Sequence, residues 1–179
     1  MNGATVTEIQ QAGKDFAAII HLPFGAMGIG TAGAVVTEMY YLPAGTPELA
    51  PRDALAEQAA QQLQAYCKDP GFRFDLPLAL RGSEFQRRVW QTLRDIPCGQ
   101  VRTYGELARH LDSVARAVGQ ACRSNPFPPL VPCHRVMAAN SLGGFAGSDD
   151  QNGFTLGVKR WLLAHEGHKE YQWQQATLL

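Results

Sequence analysis

Thr103-Tyr-Gly-Glu-Leu-Ala-Arg-His-Leu-Asp-Ser-Val-Ala-Arg-Ala-Val-Gly-Gln-Ala-Cys-Arg123 is the stretch on which the fold turns. Thr103 followed three residues later by Glu106 reads as a capping box, so a helix is expected from 104, with Leu107, Ala108 and Leu111 facing inward. Asp112-Ser113 closes it, and Ser113 is expected to cap a second helix from Val114 to about Arg123. Two short helices across a tight turn are the parts of a helix-turn-helix. On the second, Val114, Val118 and Ala121 form an expected core face, Ala115, Gly119 and Cys122 a face of small residues, and Arg116, Gln120 and Arg123 a polar one. A helix that reads major-groove base edges usually presents long polar side chains where this one presents Ala and Gly. Small residues suit close approach to a narrow minor groove, or else tight packing on another helix.

Outward from that pair, Ser83 to Arg94 predicts a helix capped by Ser83, with Phe85, Val89, Trp90 and Leu93 on one face. On the other side, Asn125-Pro-Phe-Pro-Pro-Leu-Val-Pro132 excludes helix and predicts a rigid, extended run that delivers Cys133. Asn125 is suited to tie two backbone turns together. A loop with Gly143, Gly144 and Gly147 follows, then a helix from Val158 to Glu166 stopped by Gly167. Ser148 to Gly153 resembles half of a calcium loop, but position 12 falls on Lys159 instead of a bidentate Glu, which excludes calcium.

Residues 1–80 read as a separate α+β unit and 81–179 as a mostly helical one. Phe16–His21 and Ala34–Tyr41 are strand-like, and 52–68 places Leu55, Ala59, Leu63 and Tyr66 at helical spacing. Gly28-Ile-Gly-Thr-Ala-Gly33 spells GxGxxG, but a strand follows it where the dinucleotide fingerprint needs a helix; it is read as a hairpin turn. The formal net charge is zero, yet 1–80 carries four Lys/Arg against eight Asp/Glu and 81–179 twelve against eight. Basic charge gathered on the second half is the footprint of nucleic-acid binding. No secretory leader, no membrane span and no zinc-spaced Cys/His set is visible; Cys67, Cys98, Cys122 and Cys133 read as reduced thiols of an intracellular protein.

In Val131-Pro-Cys-His-Arg135, a nucleophilic Cys133 needs thiolate character, hence a base or a positive environment, and His134 and Arg135 adjoin it. A carboxylate fixing the His134 tautomer would complete a relay, with Glu166 the best candidate. Pro132-Cys-His-Arg-Val136, together with Arg102 to Ala108, Ala115 to Gly119, Arg123 to Pro126 and Lys159 to Glu166 in order, resembles the O6-alkylguanine-DNA alkyltransferases across roughly 83–167. The resemblance implies a small ribonuclease-H-like N-terminal domain and a C-terminal domain with a helix-turn-helix. It implies a cytoplasmic, bacterial-like, monomeric suicide methyltransferase that needs no metal or cofactor. Its partner would be double-stranded DNA, bound through the minor groove with O6-alkylguanine flipped outward. Cys133, His134, Glu166 and Tyr104 would carry the chemistry, and Arg116 would fill the gap in the stack, with Ala115, Ala117, Gly119 and Arg123 also on DNA. Asn125, Val136, Phe145, Ala146 and Lys159 would form the substrate pocket, the Cys133 and Val136 carbonyls accepting from the guanine amino group.

Where relatives commonly carry Gly-Tyr-Ser-Gly or Gly-Tyr-Ala-Gly, this chain has Gly144-Phe-Ala-Gly147, so a donor to guanine O6 from this loop is a backbone N–H. The segment from Gly147 to Lys159 is also longer than the resemblance implies. Alternatives are a non-catalytic lesion-binding protein, which would replace the cysteine, a methylation-sensing regulator, which would carry a further domain, and a cysteine hydrolase, which would turn over.

Overall fold

A computed structural model describes residues 15–146 and 153–171. Gly147 and the acidic segment compared above with a calcium loop therefore lie outside the described residues, apart from Gly153. Strands β1 (Ala18–Leu22), β2 (Gly25–Ala32) and β3 (Val35–Leu42) form an antiparallel sheet in sequential order. Helix α1 (Ala54–Lys68) crosses all three, burying Ala56, Ala59, Ala60, Leu63 and Tyr66. Asp53 caps it by accepting from the Ala56 N–H. Phe16, Ile19, Ala26 and Leu42 cover the opposite face, so the middle strand is buried on both sides.

This corrects the reading of the glycine-rich run. Gly28 and Gly30 belong to the middle strand, and only Gly33 with Ala34 makes the turn. The reason lies in packing: the Phe16 ring occupies the space a Gly28 side chain would need, its Cε1 2.6 Å from where a Cβ would stand.

In the second half, α2 (Glu84–Arg94), α3 (Tyr104–His110), α4 (Ala115–Arg123) and α5 (Phe154–His165) pack around a core continuous with that of the sheet. The capping box expected at Thr103 with Glu106 is present, and the Ser83 cap expected from sequence is a capping box as well, with Gln86 as its partner. The start of α4 differs. Val114 occupies its N-cap without a side-chain hydrogen bond, Ser113 does not cap, and Val114 is 64% exposed instead of joining the core face. Asp112, at φ 51°, turns the chain so that the helix begins one residue late and Val114 faces outward.

The proline-rich run is also not extended. Asn125 accepts from the Phe127 N–H and donates to the Val131 carbonyl, and Val131 N–H reaches the Phe127 carbonyl, folding the run into consecutive turns. One side chain here supplies the hydrogen bonds that prolines deny the backbone. Met39 of β3 donates to the Pro126 carbonyl, so the sheet edge steadies the same run. Finally, β4 (Arg102–Thr103) pairs parallel with β5 (Val136–Met137), setting Tyr104 and the residues after Cys133 side by side.

Candidate functional site

Cys133 opens a single 3-10 turn, Cys133–Arg135, between the proline run and β5. It lies at a cleft of about 300 Å³, lined also by Tyr104, Ala115, Arg116, Gly119, Cys122 and Arg123 of the helix pair and by Gly144, Phe145 and Ala146 of the following loop. The small face of α4 is thus neither spent on helix packing nor wholly exposed: it is one wall of the cleft. Gly143, at φ 73°, brings its backbone against Tyr104, whose ring a Cβ would approach to 3.3 Å, and the Tyr104 hydroxyl stands 3.5 Å from the Gly144 carbonyl.

The thiol is buried, and its sulfur accepts from Asn125 Nδ2 at 3.3 Å. Burial pushes the Cys133 pKa above the ordinary thiol value, against smaller opposing effects of the Asn125 hydrogen bond and the Lys159 charge. The sequence reading gave Cys133 a positive environment that included Arg135. Arg135 instead turns away, donating from Nε and Nη2 to Glu166 at 2.9 and 2.8 Å and from Nη1 to the Ile96 carbonyl. Cys133 at rest is consequently a protonated thiol.

His134 and Glu166 meet as expected, Nε2 to Oε1 at 2.9 Å, both side chains 1% exposed. Burial raises the cost of charge on Glu166, but hydrogen bonds and charge from His134 and Arg135 prevail and hold it far below the usual carboxylate range. An ionised Glu166 accepts from Nε2–H, leaving His134 Nδ1 as the acceptor nitrogen. That atom is buried without a partner, as is the Tyr41 hydroxyl. Burial also holds the His134 pKa below its ordinary value, outweighing Glu166, so the imidazole is a neutral base at pH 7.

Lys159 is fully buried and donates to the carbonyls of Val136, Leu142 and Gly144. Burial lowers it to about 8, and three carbonyl acceptors favour the ammonium, so it is a cation at neutral pH. Asn125, Val136 and Lys159 stand behind the cleft wall and shape it, Phe145 and Ala146 line it, and Ala117 lies outside the lining. Sequence reasoning missed Tyr66, whose hydroxyl donates to Glu166 at 2.8 Å from 100 positions away, and the tethering role of Arg135. A tyrosine and an arginine of ordinary spacing carry no local signal for such contacts. Among the described residues no His/Cys/Asp/Glu group is placed to hold a metal, and no helix is long and apolar enough to cross a membrane.

By fold and site this is a protein with a buried thiol on the wall of a cleft, its sulfur open only to what enters there. Comparison with known proteins identifies the kind: the 6-O-methylguanine DNA methyltransferase, DNA binding domain, matches residues 84–168. The crystal structure of the Mycobacterium tuberculosis O6-methylguanine methyltransferase is similar with a TM-score of 0.68 and 35% identity, over 89% of this chain and 96% of that one. The same organism's OGT in complex with DNA matches with a TM-score of 0.66 and 35% identity, over 84% and 92%. The methylated-DNA–protein-cysteine methyltransferase of Shigella flexneri is 51% identical over 96 residues, which span 52% of this chain and about half (52%) of that relative's length. The chain belongs to the O6-methylguanine-DNA methyltransferase family.

Proposed function

We propose that this chain repairs DNA by one irreversible transfer of an alkyl group from O6 of guanine to Cys133, a methylated-DNA–protein-cysteine methyltransferase consumed by its own reaction. The observation that carries the reading is the caged thiol one residue from a base, His134, whose free nitrogen is set by Glu166. In the step itself the Cys133 sulfur attacks the alkyl carbon and a C–S bond forms as the C–O6 bond breaks. The thiol proton passes through a bridging water to His134 Nδ1, while Tyr104 donates to guanine N3 as charge gathers on the departing purine. The departing guanine takes up a proton through Tyr104 and the imidazolium at His134 releases one to solvent, from which Tyr104 is reprotonated, so the sum is one proton from sulfur to guanine. Water does not reverse the thioether that remains.

DNA is the proposed partner. α3 and α4, joined by the turn at 111–114, are read as a helix-turn-helix. The arrangement of Ala115, Ala117 and Gly119 with exposed Arg116 and Arg123 favours close approach to a minor groove. Arg116 is proposed to fill the stack behind a flipped base, offsetting the few kcal/mol of unpairing. Asn125, Val136, Phe145, Ala146 and Lys159 form the proposed guanine pocket directly or from behind its wall. The Val136 carbonyl already accepts from Lys159, so it offers a guanine amino group its second lone pair. The antiparallel meander followed by α1 supports a ribonuclease-H-like unit at 1–80 and a DNA-reading, alkyl-transfer unit at 81–179, in a monomeric cytoplasmic protein.

The test is incubation with a duplex containing one O6-methylguanine, followed by intact and peptide masses. One added methylene on the Cys133 peptide, saturating at one equivalent, is expected; no transfer, or turnover beyond one equivalent, defeats the proposal. Cys133→Ser keeps DNA binding and transfers nothing.

A further inference from the structure

Glu166 Oε1 is the oxygen that faces His134 Nε2, and the Tyr66 hydroxyl from α1 donates to that same oxygen at 2.8 Å. Tyr66 is itself buried, its ring held edge-on against His165 at 5.3 Å and tilted against Phe74 at 5.5 Å, and His165 Nε2 hydrogen-bonds the Tyr66 carbonyl. We infer that Tyr66 is a positioning residue for the relay, by which the N-terminal half sets how strongly Glu166 grips His134. The inference rests on the relay reading proposed above.

The physical argument is one of shared charge. Every donor to Oε1 spreads the carboxylate charge and leaves less of it to stabilise an imidazolium at His134. Tyr66 and Arg135 Nη2 both donate to that oxygen. Burial drives the Tyr66 pKa far above its ordinary value, with the Glu166 charge and hydrogen bond adding to it, so Tyr66 remains a donor throughout the working pH range. Other groups that face the pair are Lys159 from α5, Tyr41 from β3 and Cys98 from the turn before β4. Among them Tyr66 is the neutral donor in direct contact with the carboxylate, so its hydroxyl can be removed without adding or deleting a charge.

Tyr66→Phe keeps the ring contacts and deletes the donation. Oε1 then holds His134 more tightly, its imidazolium is favoured, and the neutral base is lost at higher pH. Single-turnover methyl transfer is expected to keep its alkaline plateau within about twofold, while the acid limb moves up by about one pH unit. At a matched pH on the acid limb, transfer accordingly falls several-fold. Phe74→Leu, which loosens the same packing without touching the hydrogen bond, should lower the Tm and leave the limb in place. A second readout, iodoacetamide labelling of Cys133 followed on its peptide against pH, needs no DNA. If the parent transfers no methyl, the proposed function fails while the labelling curve still reports on Tyr66. Superimposed acid limbs for parent and Tyr66→Phe overturn the inference.

Discussion

The Cys133 sulfur carries its proton at rest because burial outweighs what Asn125 and Lys159 offer the thiolate. On the proposed reaction, reactivity is thereby withheld until a neighbouring base accepts the proton, the part assigned to neutral His134. The pH dependence follows in sign. Because burial places the His134 pKa below about 6.5, the methyl-transfer rate should stay level from pH 8 to 6.5 and fall only at lower pH. A single-turnover profile that begins to fall above pH 6.5 contradicts this. Glu166→Gln leaves the guanidinium of Arg135 without its carboxylate in a partly buried setting. The expected loss is about 3 kcal/mol of stability in urea melts, together with a slower transfer.

At the scale of elements, the turn built on Asn125 and the stretch 143–146 decide where the sulfur and the cleft wall stand. Asn125→Ala strands the Phe127 N–H, at a cost of about 1 to 3 kcal/mol, takes one of two donors from the Val131 carbonyl and removes the donor to sulfur. Melting temperature and transfer rate should both drop. Thr103→Ala, which removes only the α3 cap, should cost about 1 kcal/mol. Elements like these divide what sequence can reveal. The Ser83 cap and the capping box of Thr103 with Glu106 were legible because such contacts are local, and the Cys133-His134 pair because it is contiguous. The outward Val114 was not, because a single backbone reversal at Asp112 decides it. The buried Gly28 escaped because its reason, the Phe16 ring, lies across the sheet. Tyr66 and Arg135 escaped for the same cause, being partners of Glu166 that only the folded chain brings together.

At the scale of the whole molecule, a continuous core and crossing hydrogen bonds join the halves, among them Met39 to Pro126, Arg81 to Thr37, Tyr66 to Glu166 and His165 to Tyr66. Unfolding should therefore be a single transition, with near-ultraviolet tryptophan signals from Trp90 and Trp161 coincident with loss of helix by far-ultraviolet circular dichroism. Separate midpoints would show the halves to be independent. Acid should weaken the whole. Unfolded His134 takes its proton near 6.5 and unfolded Glu166 near 4.3, whereas their folded pKa values lie lower. The unfolded chain binds more protons on descent through both windows, so this stability is complete above about pH 6.5 and is lost progressively below it.

The hydrogen bond from Asn125 to sulfur has one more consequence. The same amide that closes the proline run also holds the thiol, so the atom that changes in the reaction belongs to the scaffold. A methyl group on that sulfur weakens it as an acceptor, so the turn that Asn125 closes loses part of its hydrogen bonding. The spent molecule is thus marked from within: its history is written into its melting curve, which should fall by several degrees once Cys133 is filled.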